Sequence, residues 1–87
     1  MCRNIKPLFN FDPSATDEEV RAASLQFVRK LSGYNKPSQV NEEVFNQAVD
    51  EIAAAARSLL DSLVTTTKPR DREVEAERAR ARRNRFR

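Results

Sequence analysis

Apolar residues recur at three- and four-residue steps in two stretches of the chain. The first is Val20, Ala23, Phe27, Val28 and Leu31, a spacing that draws one stripe along a helix. The residues ahead of it supply a start signal. Thr16-Asp17-Glu18-Glu19 has the order of a capping box, in which the Thr16 hydroxyl accepts from the Glu19 amide and the Glu19 carboxylate reaches back to the Thr16 amide. Three acids in the first turn suit the positive end of the helix dipole. Gly33 is placed to close the helix in the left-handed conformation, with Tyr34 folding back onto Val28 in a Schellman arrangement. A helix over about 17–32 is predicted.

The second stretch is longer: Phe45, Ala48, Val49, Ile52, Ala56, Leu59, Leu60 and Leu63. Asn41 is placed as its N-cap, with Glu42 and Glu43 in the first turn. Val40 and Phe45 stand at the positions of a hydrophobic staple. The run Ala53-Ala54-Ala55-Ala56 has the highest helix propensity available and leaves a narrow surface on which another helix can pack closely. Thr65-Thr66-Thr67 weakens the helix and Pro69 marks a boundary, so a helix over about 42–64 is predicted.

The flanks follow neither period. Ile5-Lys6-Pro7-Leu8-Phe9-Asn10-Phe11 is barred from a helix by Pro7 and Pro13. It is expected to be an extended arm with no partner strand, lying across the helices and inserting Phe9 and Phe11. Residues 70–87 alternate acids, arginines and alanines, with Val74 and Phe86 as their large apolar members. Such a tail has little to dock with and is expected as a solvated, frayed helix or as disordered chain. The fold class is therefore all-α: an antiparallel helical hairpin carrying an extended N-terminal arm and a basic C-terminal tail. The expected division is a domain over 1–67 and a tail over 68–87.

Charge sharpens that division. Residues 1–67 hold seven Lys or Arg against nine Asp or Glu, and residues 68–87 hold nine against four. The body is mildly acidic and the sequence pI of 9.5 belongs to the tail. With one glycine and no tryptophan, the composition disfavours a turn-rich β fold. The first residues contain no apolar signal region, and one cysteine forms no disulfide within the chain, so a cytoplasmic address is expected.

Met1-Cys2-Arg3-Asn4-Ile5, Phe9-Asn10-Phe11, the junction Arg29-Lys30-Leu31-Ser32-Gly33-Tyr34-Asn35-Lys36-Pro37-Ser38, and Asp71-Arg72-Glu73-Val74-Glu75 together resemble a family of small bacterial proteins known as a domain of unknown function. The resemblance covers nearly the whole chain. It implies a small, helical, cytoplasmic protein, and it implies no activity, cofactor or functional residue.

Candidate chemistry is sparse. The chain has no histidine, so acid–base work near neutral pH would fall on carboxylates or a perturbed lysine, and no paired-carboxylate site, triad or phosphate loop is present. No catalytic residue and no cofactor are predicted. Cys2, exposed with a free α-amine once Met1 is removed, could offer a thiol and an amine to a soft metal. A zinc site wants three or four N or S ligands, and an ordinary packing role beneath the arm is the preferred reading of Cys2. Arg29, Lys30 and Lys36 in the hairpin loop could meet an anion, yet Glu42 and Glu43 oppose a DNA-reading role there. The tail arginines Arg78, Arg80, Arg82, Arg83, Arg85 and Arg87 could neutralise phosphates or an acidic protein without reading sequence.

The helix lengths carry the functional expectation. The second helix outruns the first by several residues, so its apolar stripe overhangs its partner. Ile52, Ala56, Leu59, Leu60 and Leu63 are the expected partner-binding residues. The occupant is a second copy, as an antiparallel homodimer resembling a four-helix bundle, or a different protein. The expected role is a non-enzymatic interaction or assembly module, with a Cys2-dependent thiol or metal role and tail binding to RNA as alternatives.

Overall fold

The computed structural model describes residues 5–85. In chain order it contains β1 (Phe11–Asp12), α1 (Asp17–Ser32), a 3-10 turn (Gln39–Asn41), α2 (Glu42–Ser62), β2 (Arg70–Asp71) and α3 (Arg72–Arg85). The hairpin of α1 and α2 forms as the two stripes require. α1 opens on the capping box: the Glu19 amide donates to Thr16 Oγ1 at 3.1 Å and the Thr16 amide donates to Glu19 Oε1 at 2.9 Å. It closes at Gly33, whose φ of 79° is the left-handed conformation. The Gly33 amide donates to the Arg29 carbonyl at 2.9 Å. The Tyr34 amide donates to the Ser32 hydroxyl and not to a helix carbonyl. The closure is thus a single αL bond and not the expected Schellman pair.

The core lies on the seam between the two helices. Val28, Phe45 and Val49 pack together, with Leu25, Ala48 and Ile52 against them. Val20 is buried nearer the start of α1. Ser24 shares this seam, 3% exposed, and its hydroxyl donates to the Val20 carbonyl at 2.8 Å. That bond removes the cost of burying a polar group, which is why a serine fits where the period asked for a hydrophobe.

Two expectations at the start of α2 are corrected. Asn41 has helical dihedrals and caps nothing with its side chain, because the 3-10 turn precedes α2; its amide nitrogen donates to Ser38 Oγ at 2.9 Å. Val40 is 87% exposed, so no staple joins it to the buried Phe45. The turn carries Val40 outward.

The arm is corrected as well. It does have a partner: β1 pairs in parallel with β2, Phe11 opposite Arg70 and Asp12 opposite Asp71. Asn10 makes this pairing accessible. Its φ of 62° is a conformation asparagine tolerates better than most residues. Its carbonyl accepts from the Arg70 amide at 2.8 Å, and its side-chain amide donates to the Thr67 carbonyl at 3.1 Å. The phenylalanines do not insert into the helical seam as expected. The Phe11 ring lies under the Arg70 and Arg72 guanidinium groups, at 4.8 and 5.7 Å, and Phe9 lines a crevice with Arg57, Leu60 and Pro69. Ile5 and Leu8 are the arm residues that meet the helices' apolar side.

The tail is helical and, contrary to expectation, its first turn is docked. Arg72 donates to the Pro13 carbonyl at 2.6 Å and to both Glu19 carboxylate oxygens, at 2.9 and 2.8 Å. Beyond Ala79, residues 80–83 are exposed.

Candidate functional site

α2 has 21 residues and α1 has 16, so at 1.5 Å per residue α2 runs about 7 Å past its partner. Arg57 marks where α1 begins: its guanidinium donates to the Ala15 carbonyl at 3.0 Å and meets Asp61 at 2.8 Å and Asp17 at 3.5 Å. Leu59, Leu60 and Leu63 lie past this point. The arm covers part of the overhang, leaving Leu60 half-buried. Leu59 stays 57% exposed and Leu63 44%.

The two sides of the helical layer differ in chemistry. On one side Ile5, Leu8, Ala23, Phe27, Ile52, Ala56 and Leu60 line a shallow groove of 200 Å³. Val20 and Ser24 form its floor, and no charged residue lines it. Residues two apart on a helix point about 200° from each other. Arg21 is therefore opposed to Ala23, and Asp50 to Ile52. Their ion pair lies on the reverse side, where Arg57 also meets Asp17. The ion pairs thus lie on one side of the hairpin, while the groove on the other is lined by apolar side chains and Ser24.

Three of the five residues assigned to a partner from sequence, Ile52, Ala56 and Leu60, meet in this groove. Leu59 and Leu63 continue its α2 wall at helical steps. Sequence reasoning missed Phe27, Ile5 and Leu8. Phe27 was counted into the core stripe, yet it is 43% exposed. Seven residues place it only about 20° from Val20 around the helix, so which of the two α2 would cover could not be ranked without knowing where α2 lies. The arm residues carry no periodic signal at all.

A second constellation lies around Glu19. The arm, the start of α1 and α3 enclose a cleft of 360 Å³, with Lys6, Pro7, Leu8 and Phe11 on one side and Arg72, Glu75, Ala76 and Ala79 on the other. Glu19 is held well below the usual carboxylate range, at about 2, chiefly by the Arg72 hydrogen bonds and then by the Thr16 amide, against a smaller opposing effect of burial. Arg72 is raised by the same pairing. Both charges are already engaged with each other, so the pair acts as a latch between α1 and α3.

Of the tail arginines, Arg78 pairs with Glu75 at 3.3 Å and Arg80 with Glu77 at 3.7 Å, as helical spacing predicts. Arg82 and Arg83 are exposed with no acid one turn before them. Arg85 is the last residue of α3. Cys2 and Arg87 lie outside the described residues. Among the described residues no cluster of three or more potential metal ligands occurs, and no helix is long and apolar enough to cross a membrane.

These features define a small, mainly helical protein built on a two-helix hairpin, with an apolar groove on one side. Residues 1–78 match the family described as "Uncharacterized conserved protein (DUF2277)", and the chain belongs to that family. The sequence resemblance to a domain of unknown function is met at that level. No curated protein and no solved structure matches the chain.

Proposed function

We propose that this protein is a non-enzymatic assembly module whose apolar side seats a second copy of the chain, giving a four-helix bundle from two hairpins. The observation that carries the reading is the exposure of Leu59 and Leu63, 57% and 44%, which follow the groove residues Ile52 and Ala56 at three- and four-residue steps. Domains are built from at least two packed layers around one core. The helical contacts that build the core here are those of α1 with α2 along one seam. The reading takes the cytoplasm as the place of action, because the lone cysteine has no partner within the chain.

Sedimentation equilibrium or light scattering on the eluting protein tests it. A mass of two chains at micromolar concentration is expected, and Leu59→Asp should give one chain with helicity retained. A stable 10.0 kDa monomer at that concentration overturns the proposal. A second reading has its own observation: Arg82 and Arg83 project from the exposed end of α3 without a neighbouring acid. It assigns that end to weak, salt-sensitive binding of a polyanion. Single-stranded RNA retained at low salt and released by Arg82→Ala with Arg83→Ala would support it, and retention unchanged by those substitutions would sink it.

A further inference from the structure

The cleft between the N-terminal arm and α3 is a different cavity from the groove. It measures 360 Å³, inside the range of about 300–1,000 Å³ usual for small-molecule sites. Pro7, Leu8 and Phe11 form its arm wall, and Ala76 and Ala79, three apart on one face of α3, form the other. The two alanines put nothing larger than a methyl group into the space, so α3 stands beside the arm without filling the gap. The frame around the gap is fixed. Arg72 grips the Pro13 carbonyl and Glu19 together, the Asn10 carbonyl accepts from the Arg70 amide, and both guanidinium groups lie over the Phe11 ring.

Of the charged side chains that border the cleft, all but one are already partnered. Arg72 meets Glu19 at 2.8 Å, and Glu75 meets Arg78 at 3.3 Å. Lys6 is exposed at the mouth and acts on Glu19 only at longer range. Among the described residues no carboxylate is in ion-pair contact with it. An apolar chamber with one uncommitted cation at its mouth suits a ligand with an apolar body and a single negative charge at one end. A doubly charged head such as phosphate is disfavoured, because Glu19 and Glu75 border the same space.

We propose that this cleft binds a small amphipathic carboxylate, its hydrocarbon body between Leu8, Phe11 and the α3 alanines and its head group on the Lys6 ammonium. Leu8 is the one lining residue shared with the groove, so the site stands or falls apart from the assembly reading.

The test titrates octanoate into the full-length protein, followed by calorimetry and by amide chemical shifts. Saturable binding with a dissociation constant of about 1 mM or tighter is expected, with the largest shifts at Leu8, Ala76 and Ala79. Octanol, which lacks the charge, should bind about fivefold more weakly, and Lys6→Gln should weaken octanoate by the same factor, the upper end for an exposed ion pair. Ala76→Phe fills the chamber from α3, away from the α1–α2 seam, and should abolish binding with far-UV circular dichroism unchanged. Absence of saturable binding at millimolar octanoate overturns the proposal. So does octanol binding as tightly as octanoate, or an unchanged affinity in Lys6→Gln. Shifts centred on Phe27 and Ala56 would place the ligand in the groove and overturn it as well. If Ala76→Phe fails to fold, the comparison of octanoate with octanol on the wild-type chain decides.

Discussion

Neutralising Glu19 is the most informative perturbation of this fold, because one carboxylate serves two structures. It receives the Thr16 amide at the start of α1 and the forked guanidinium of Arg72 at the start of α3. Glu19→Gln keeps an oxygen able to accept from Thr16 and removes the charge that Arg72 pairs with. In the folded chain the carboxyl titrates at about 2 against an ordinary 4.5. The full displacement corresponds to about 3 kcal/mol, and solvent contact at the pair reduces this to about 1–2 kcal/mol. The folded value is depressed, so the contribution is complete above the unfolded value of 4.5 and is lost as pH falls from there through 2. Urea unfolding followed by far-UV circular dichroism should show Glu19→Gln less stable than wild type by about 1–2 kcal/mol at pH 7. The gap should narrow below pH 4.5 and close near pH 2. A gap that stays constant across this range would falsify the assignment of the stabilisation to the ionised pair. So would a variant as stable as wild type at pH 7.

Three further substitutions separate the remaining contributions. Val49 is 1% exposed at the centre of the seam, and Val49→Ala should cost about 2 kcal/mol in urea unfolding from lost apolar burial and the cavity left behind. Gly33→Ala meets no atom within 4 Å but must adopt a φ of +79°, so a loss of about 1–2 kcal/mol, purely from the backbone, is expected in the same assay. Phe11→Leu keeps apolar volume and removes the ring beneath Arg70 and Arg72; it should lower stability by about 0.5–1 kcal/mol, and a hydrogen-exchange profile should place the change in β2 and the first turn of α3.

The helices were legible because their determinants are local. Thr16 and Glu19 are three residues apart, Gly33 follows the last turn, and the stripes repeat within one element. The span expected for α1 is the observed one, and that for α2 runs two residues past its observed end at Ser62. The errors fall where a local signal competes with a neighbour in space. Asn41 looks like a cap, but the 3-10 turn from Gln39 places it already in helical conformation. Val40 looks like half a staple and is turned away by the same turn. The arm's contacts join residues 10 and 70, or 13 and 72, and such pairs leave no periodicity in either segment. Arg72 is one arginine among many in a charged tail; its distinction is that Glu19, 53 positions earlier, is within reach. The apolar row on α2 proposed to meet a partner could be drawn from helix length alone, whereas Phe27 and the arm residues on the groove's other bank required the hairpin's geometry.

The distribution of charge across the hairpin is the strongest constraint on what it can do. The arm lies along one side of the hairpin, where Ile5 and Leu8 meet it, so part of the asymmetry is used within the chain. Here Arg21–Asp50 and Arg57–Asp17 occupy one side, while the groove side carries alanines, isoleucines, leucine and phenylalanine. Among the described residues the buried apolar side chains are Val20, Val28, Phe45 and Val49. Each such residue contributes about 1.5–3 kcal/mol, set against about 1–2 kcal/mol of backbone entropy for every residue ordered. Exposed leucines on the groove side therefore represent stability that the isolated chain leaves unused. On the proposed assembly reading, a second copy covering them would add apolar burial that the isolated chain lacks. For an assembly of this kind the unfolding midpoint rises with protein concentration. A midpoint independent of concentration over a hundredfold range would mean that the groove side stays open in solution, and the assembly reading would fall with it.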